Sequence, residues 1–209
     1  MPTTRPTEIR RCSWCGDDPL YVAYHDMEWG RPVADDRRLF EKLCLEGFQA
    51  GLSWRTILGK RPAFRAAFAH FDIDRVGRYN ARDVARLLKD PGIVRHRGKI
   101  ESTINNALRA RDVIAEFGSL AAYFWRFEPA PGTRPRRLTP AILSTMTTSG
   151  EATALSKDLK RRGFSFVGPT TVYAFMQAMG LVNDHLHYCE MRAEVERERT
   201  AFRRPGGKH

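Results

Sequence analysis

The sequence predicts an all-α fold. Apolar residues recur at the helical spacing of three and four positions, as Ile100, Ile104 and Leu108 do, across most of the 209-residue chain. Residues typical of helix caps precede many of these segments, whereas strict apolar–polar alternation over the length of a strand is missing almost everywhere. The chain is also long enough to bury its own hydrophobic core. We therefore expect a fold of many short helices.

The N-terminal part contains two segments without a clear helical pattern. Residues 1–11 are basic and contain two prolines, so we expect a flexible leader there. Residues 12–30 are rich in Trp and Tyr but have little helical periodicity of their own. The second segment therefore requires a source of order other than an amphipathic helix.

Capping residues mark the helices through the middle of the chain. A polar cap accepts hydrogen bonds from the free N–H groups of the first turn, and so predicts where a helix begins. The helix through Ile100 is expected to reach about Phe117, and prolines mark one long loop over 127–139. The predicted caps are Asp35 or Asp36, Ser53, Asn80 and Ser119.

Residues 159–170 have the pattern of two helices joined by a hairpin. Gly163 is expected to end one helix, and Gly168-Pro169 to begin the next after four hairpin residues. Free N–H groups at the start of the second helix favour an anion such as a phosphate, and Lys160, Arg161 and Arg162 add positive charge. The alternative is an ordinary glycine-terminated helix followed by a proline-started one.

The last 20 residues, 190–209, are highly charged and predict a frayed helix followed by a tail. We therefore divide the chain into a leader (1–11), one folded domain (12–189) and a charged C-terminal extension (190–209).

Charge and hydropathy limit the class of protein. With 35 Lys and Arg against 24 Asp and Glu, the formal net charge is +11, which favours a polyanionic partner and argues against a calcium buffer. Neither a run of about 18 apolar residues nor a secretory signal is visible. We expect a cytoplasmic protein that does not cross a membrane.

Cysteines and histidines near both ends of the chain suggest a metal site. His185 and Cys189 are four residues apart and would share one face of a helix, and Cys12 and His25 can supply two further ligands. Such a site would tie the N-terminal segment to the C-terminal helix. Cys15 and His187 are alternative donors, and the cysteines can equally be buried thiols, as we expect for Cys44.

Glu46 is a carboxylate on an apolar helix face. It follows Leu39 by seven residues and Leu43 by three, so it points inward, where an unpaired charge is costly. The surrounding aromatic residues are suited to sandwiching a flat ring. Glu46 is therefore either a ligand-binding residue or a structural acid bonded to an arginine or a helix N-terminus. The aromatic residues are Trp14, Tyr21, Tyr24, Trp29 and Trp54.

Six motifs in one order resemble the 3-methyladenine DNA glycosylase I family, and together with the hairpin they extend from about Cys12 to Cys189. They are Cys12-x-Trp14, Asp18-Pro19-Leu20-Tyr21, Tyr24-His25-Asp26-x-Glu28-Trp29-Gly30, Leu45-Glu46-Gly47-x-Gln49-Ala50-Gly51-Leu52-Ser53-Trp54, Arg95-His96-Arg97-Gly98-Lys99-Ile100 and Gln177-Ala178-x-Gly180-Leu181-Val182-Asn183-Asp184-His185.

This resemblance implies a helix-hairpin-helix enzyme that removes 3-methyladenine from alkylated double-stranded DNA. It places structural Zn²⁺ on Cys12, His25, His185 and Cys189. It places the base pocket at Tyr24, Trp29, Glu46 and Trp54, and an element that enters the duplex at 49–53. The residues expected to contact DNA are Gln49, Gly51, Lys160, Arg161, Gly163, Val167, Gly168 and Thr170.

The implied mechanism is hydrolysis of a flipped-out nucleotide with Glu46 as the catalytic residue, whose carboxylate accepts hydrogen bonds from the base and favours its positive charge. Asp184 is a minor alternative to Glu46. No lysine occupies an obvious Schiff-base position, so we expect a monofunctional enzyme without strand cleavage. We expect a monomer, which is the default for an enzyme that wraps a duplex. Two other classes stay open: a non-catalytic DNA-binding module and a zinc-stabilised RNA-binding or regulatory protein.

Overall fold

The structure, a computed structural model, describes residues 9–206 of the chain. Within this range all regular structure is helical and no β-strand forms, so the all-α prediction is confirmed. Residues 1–8 of the predicted leader and residues 207–209 lie outside the described residues. The α-helices are α1 (Pro19–Met27), α2 (Asp36–Gln49), α3 (Trp54–Ala67), α4 (Ile73–Val76), α5 (Ala81–Leu87), α6 (Arg97–Phe117), α7 (Leu120–Phe124), α8 (Pro140–Thr145), α9 (Gly150–Arg161), α10 (Pro169–Ala178) and α11 (Met191–Ala201).

The predicted helix caps are confirmed by their hydrogen bonds. The side chains of Asp35, Ser53, Asn80 and Ser119 each accept from a backbone N–H in the first turn of the helix that follows. Asp35 rather than Asp36 caps α2, while the Asp36 carboxylate accepts from the backbone N–H of Ala121 and so links α2 to α7. The long helix α6 ends at Phe117, as expected.

Helix α2 lies at the centre of the molecule. It packs against α3, α6, α7 and α10, and residues 39–48 are all buried. Phe40 and Phe48 on α2 meet the buried rings of Phe64, Phe68 and Phe71 on the other side of the core. Because α2 is covered on every side, each charged residue in this stretch needs a partner inside the protein.

The N-terminal segment is more helical than the sequence predicts. Residues 19–27 form α1, where the expectation for 12–30 was little helix. The helix is begun by Asp18, whose side chain accepts from the backbone N–H of Tyr21, and by Pro19 at its first position. The prediction weighed apolar periodicity and overlooked this local start signal.

The charged C-terminal segment forms a helix, α11, as expected, but this helix is packed against the rest of the chain rather than frayed. Ion pairs attach this helix to the rest of the chain: Arg31 contacts Glu194 at 2.7 Å and also pairs with Glu198, and Arg199 contacts Glu128 at 2.8 Å. Alternating charges on the helix thus bind partners that are distant in sequence. None of the helices in the described part has the length and apolar character needed to cross a lipid bilayer.

Candidate functional site

A cavity of about 490 Å³ opens between α1, α2 and α3 on one side and α8 and α10 on the other. This volume lies within the range of small-molecule sites. Five aromatic side chains form one part of the wall, and among residues 9–206 Glu46 is the one acidic residue that lines it. The lining residues are Ser13, Trp14, Tyr21, Tyr24, Trp29, Glu46, Gln49, Trp54, Pro140, Leu143, Ser144, Met146, Ala174, Gln177 and Leu186.

Glu46 faces inward from α2, as its spacing predicts. Only 4% of the residue is exposed, yet its side chain lines the cavity. Its partner is neither an arginine nor a helix N-terminus but the ammonium of Lys42, which lies 2.8 Å from Oε1 of Glu46, one helical turn earlier. The structure thus brings Glu46, Tyr24, Trp29 and Trp54 together around one cavity.

Lys42 is a component of this site that the sequence analysis missed. Its Nζ donates a hydrogen bond of 2.8 Å to the hydroxyl of Tyr24 and lies 3.2 Å from the ring centroid of Trp54. Burial lowers the pKa of Lys42 to about 8, although the nearby Glu46 opposes that shift. The signal was present, since Lys42 follows Leu39 by three residues and precedes Glu46 by four, on the same inward face.

The aromatic rings form adjoining walls. The ring centroids of Tyr24 and Trp54 are 5.4 Å apart with an interplanar angle of 46°. A flat base between two rings requires a separation of about 7 Å, twice the contact distance of carbon atoms. The rings of Tyr24 and Trp54 therefore stand too close together for a base to fit between them. Trp14 meets Trp29 edge-on at 4.9 Å in the same wall.

The opposite wall of the cavity comes from the second half of the chain. Pro140, Leu143 and Ser144 of α8 face it, together with Ala174 and Gln177 of α10. None of these residues was expected at the site from the sequence. Helix α8 is short and has no buried residue, so its apolar positions give no periodic pattern that marks it as part of a wall.

Cys12, His25, His185 and Cys189 lie together in a buried cluster, with one candidate ligand atom from each residue within 4.8 Å of all the others. The Sγ of Cys189 is 3.6 Å from Nε2 of His25 and 3.4 Å from Nδ1 of His185. Tetrahedral Zn²⁺ with its usual bonds to sulfur and nitrogen separates two such ligands by about 3.5 Å. The four residues therefore fit a zinc ion.

Outer contacts of the two histidines strengthen this fit. Nδ1 of His25 lies 2.7 Å from a carboxylate oxygen of Asp26, and Nε2 of His185 lies 3.1 Å from the carbonyl oxygen of Trp29. Metal-bound histidines usually donate their second N–H to such acceptors. His185 and Cys189 occupy an irregular segment between α10 and α11, so the expectation that they share a helix is wrong.

The alternative metal donors lie outside the cluster. Cys15 is buried, but its thiol donates a hydrogen bond to the carbonyl oxygen of Gly16, and Cys15 does not belong to the cluster of four candidate ligands. Nδ1 of His187 is 2.8 Å from the carbonyl oxygen of Leu138. Cys44 is buried in α2, as expected for a core thiol.

Residues 162–168 connect α9 to α10 and match the predicted hairpin pattern. Gly163 adopts a left-handed φ of +86°, and Pro169 starts α10. Asn106 on α6 anchors the connection, because its side chain accepts from the backbone N–H of Ser165 at 2.9 Å and donates to its carbonyl oxygen at 3.0 Å. The connection is thus held against the centre of the protein, with Thr170 exposed at its end.

The basic residues before this hairpin differ in their surroundings. Lys160 and Arg161 are exposed, whereas Arg162 is half-buried and pairs with Asp158 at 2.7 Å and also with Glu116. Arg161 itself forms an ion pair with Asp158. Lys160 and Arg161 are therefore the residues of this group that face solvent.

The loop from Gln49 to Ser53 joins α2 to α3 beside the cavity. Gly51 has a left-handed φ of +82°, and Leu52 is 40% exposed although it is apolar. Lys99 holds the base of the loop by donating to the carbonyl oxygens of Phe48 and Ala50, at 2.8 and 2.5 Å. In the chain, this loop lies between Glu46 and Trp54, and it presents the exposed side chain of Leu52 while Lys99 fixes its start.

Asp184, the minor alternative to Glu46, is completely buried, and its carboxylate oxygens are already bound by other side chains of the protein. Its carboxylate accepts from the hydroxyl of Tyr173 at 2.6 Å and from the side-chain amide of Gln177 at 2.9 Å, and it also pairs with Arg134. These contacts make it a structural acid.

A second cavity of about 650 Å³ lies beneath residues 129–136, but its wall is polar and rich in arginine rather than aromatic.

Comparison with known proteins gives consistent matches over most of the chain. A family model described as methyladenine glycosylase matches residues 14–193. The DNA-3-methyladenine glycosylase 1 of Escherichia coli (strain K12) is 48% identical over 182 residues, which are 87% of this chain and 96% of that protein. The DNA-3-methyladenine glycosylase of Haemophilus influenzae (strain ATCC 51907 / DSM 11121 / KW20 / Rd) is 44% identical over 183 residues, with coverage of 86% and 96%.

Solved structures show the same similarity. A crystal structure of a 3-methyladenine DNA glycosylase I aligns with a TM-score of 0.78 at 50% identity, and covers 87% of this chain and 98% of that one. A Staphylococcus aureus structure that describes 3-methyladenine recognition aligns with a TM-score of 0.79 at 39% identity, and covers 87% and 96%.

Proposed function

The chain belongs to the methyladenine glycosylase family, and from this premise we propose that it hydrolyses the N-glycosidic bond of 3-methyladenine in alkylated DNA, with Glu46 as the catalytic residue. The observation that carries the proposal is the buried carboxylate of Glu46 in the wall of an aromatic cavity. A site of this kind suits a flat ring with positive charge, and 3-methyladenine in DNA has both properties.

Base flipping follows from the depth of the site. A base within a duplex is stacked and cannot reach a buried carboxylate, so the nucleotide has to rotate out of the helix before it enters the cavity. A cavity of about 490 Å³ is large enough for a single purine. The exposed loop around Gly51 and Leu52 is suited to fill the gap that the flipped base leaves.

Charge explains both selectivity and chemistry. Methylation at N3 gives the base a positive charge, which is attracted to Glu46 and to the faces of Trp54 and the neighbouring rings. As the glycosidic bond breaks, the base leaves as a neutral molecule and the sugar develops oxocarbenium character, which water then attacks. The base needs little protonation to leave, so positioning and the charge of Glu46 carry the reaction.

The expected lack of strand cleavage has support in the position of the lysines. Strand cleavage by such enzymes requires an amine that attacks the sugar, yet within residues 9–206 no lysine lines the cavity. The ammonium of Lys42 lies beyond Glu46 and Trp54, at the end of the site that receives the base. We propose a monofunctional enzyme, for which borohydride trapping on alkylated DNA yields no covalent product.

The helix-hairpin-helix element and the loop between α2 and α3 are proposed to hold the duplex. Contacts from Lys160, Arg161 and the backbone N–H groups of Gly168 and Thr170 to phosphates position the protein without reading sequence. Val167, which was also expected to contact DNA, is only 1% exposed and is left out of these contacts. Gln49 and Gly51 approach the lesion from the loop, and Gly163 gives the hairpin its turn. Such contacts agree with the net positive charge of the chain.

Cys12, His25, His185 and Cys189 are proposed to hold a structural Zn²⁺ ion. The ion supplies a cross-link between the segment before α1 and the segment before α11. Since His25 follows Tyr24 directly and its ring lies 6.4 Å from that of Trp29, this cross-link also fixes the wall of the base pocket. The ion is assigned no part in the chemical step.

The decisive experiment incubates the protein with methylated duplex DNA and identifies released bases by chromatography. We expect 3-methyladenine in the supernatant and abasic sites in the DNA. Binding without release of any base would support the non-catalytic DNA-binding module instead. Failure of abasic DNA to compete for binding would favour an RNA-binding or regulatory protein. The monomeric state and the cytoplasmic location stay predictions.

A further inference from the structure

A buried ammonium shares the acidic residue of the pocket. Nζ of Lys42 lies 2.8 Å from Oε1 of Glu46 and 3.2 Å from the ring centroid of Trp54. These are the two groups that the proposed function assigns to a cationic base. Only 5% of Lys42 is exposed, and it does not line the cavity, so it approaches Glu46 and Trp54 from within the protein.

The other charges around Lys42 are balanced. Glu28, at the end of α1, forms two hydrogen bonds of 2.6 and 2.7 Å with the guanidinium of Arg61 on α3, so this pair is close to neutral as a whole. Burial raises the pKa of Tyr24 well above its usual value, so its hydroxyl is neutral near pH 8. The net charge next to the base site is therefore set by Glu46 and Lys42.

Two cations then compete for one carboxylate. With Lys42 protonated, the pair is neutral and attracts a positively charged base weakly. With Lys42 neutral, the carboxylate of Glu46 is free to balance the charge of the base. A buried lysine can lose its proton to solvent when a second positive charge arrives, since the ammonium form is already disfavoured by burial.

We propose that Lys42 is a specificity-determining residue, whose ammonium competes with the cationic base for Glu46 and releases a proton to solvent when that base binds. The inference rests on the proposed function, because it assumes that the base contacts Glu46. A neutral base does not compete with the ammonium, so Lys42 reduces the preference of the pocket for cationic over neutral bases.

The direction of the pH effect follows from the state of Lys42. Burial lowers its pKa to about 8, so Lys42 is mostly charged at pH 7 and mostly neutral at pH 9. Binding of a base whose positive charge does not change with pH therefore strengthens as the pH rises. With a pKa of about 8, the neutral fraction of Lys42 rises from about one tenth at pH 7 to about nine tenths at pH 9, so we expect kcat/KM to rise by up to about tenfold over this range.

The first test is the pH profile of single-turnover excision from DNA that contains 3-methyladenine, where the attached base has a fixed charge. The zinc-loaded wild type is compared with Lys42→Met, which lacks the charge, and Lys42→Arg, which keeps it at every pH. We expect both variants to be flat from pH 7 to pH 9, with K42M above K42R. Lys89→Met, which removes an exposed lysine near the end of α5, controls for the general loss of one charge and should follow the wild type.

The second test needs no variant. Calorimetric titration of the wild type with the 3,9-dimethyladeninium cation, in two buffers of different ionisation enthalpy, measures the protons released on binding. We expect release of a substantial fraction of one proton per base near pH 8, and none from K42M.

The outcomes separate the two proposals. Release of 3-methyladenine with the same flat profile in wild type and K42M, or binding of the cation without proton release, overturns the role of Lys42 and leaves the proposed function intact. Absence of any base release overturns the proposed function and this inference with it. If K42M unfolds below the assay temperature, the calorimetric result on the wild type decides.

Discussion

Replacing Glu46 with Gln tests how much the proposed enzyme depends on the charge in its pocket. The change keeps the size of the side chain and an oxygen that can still accept a bond from Lys42, but removes the negative charge from a residue that is 4% exposed. Base excision should fall while the binding of undamaged duplex is retained, because the hairpin and the loop after α2 are untouched.

The magnitude follows from the loss of one charged hydrogen bond. Such bonds contribute about 1.5–3 kcal/mol, and a cation about 5 Å from the carboxylate gains about 3 kcal/mol at an effective dielectric constant of 20. Because Lys42 already offsets part of this attraction, the lower half of that range applies at neutral pH. Each 1.4 kcal/mol is a factor of ten in rate, so we expect kcat/KM to fall by about 10- to 40-fold.

The assay measures release of 3-methyladenine under single-turnover conditions, together with fluorescence anisotropy on undamaged duplex. Glu41→Gln is the matched control: Glu41 is also buried on α2 and paired, with Arg65 at 2.8 Å, but it does not line the cavity. Excision by E46Q within twofold of the wild type would refute the role of Glu46. An equal loss of activity in E41Q would show that the effect arises from the stability of α2.

Further predictions concern the metal, the DNA surface and the backbone. Elemental analysis should find one zinc per chain, and Cys189→Ser should lose it with a lower unfolding temperature; equal stability with and without metal would contradict a structural ion. Lys160→Ala should weaken duplex binding and reduce the dependence on salt by about one counterion, whereas Arg111→Ala, which removes a charge next to Asp74 on another face, should not change the affinity. Gly180→Ala places a Cβ 2.5 Å from the backbone of Arg31 and Pro32 and should lower the free energy of unfolding by more than about 3 kcal/mol. Gly118→Ala, with φ +83° but open space around it, should cost only about 1 kcal/mol, and equal losses in chemical denaturation would refute the steric argument.

Local signals in the sequence predicted much of the structure. The caps Asp35, Ser53, Asn80 and Ser119 depend on side chains that bond within one turn, so neighbouring residues suffice to recognise them. Likewise, the inward position of Glu46 follows from helical periodicity alone. The family resemblance, rather than the spacing, selected Cys12 over Cys15 as one of the four candidate metal ligands, and the four selected residues do lie together.

Features that depend on distant contacts were missed. The attachment of α11 to the rest of the protein depends on partners such as Arg31 and Glu128, which lie more than 70 residues away in the chain. The contribution of α8 to the pocket depends on how that helix packs, because its own residues carry no pattern. Lys42 is an intermediate case, because its spacing from Glu46 was visible but its contacts with Tyr24 and Trp54 join three helices.

The most direct test of the account is a crystal structure of the protein with 3-methyladenine bound. We expect the base in the cavity between α2 and α8, stacked on an aromatic wall, with its edge within about 3 Å of a carboxylate oxygen of Glu46. A base bound in the polar cavity beneath residues 129–136, or in the aromatic cavity without contact to Glu46, would contradict it.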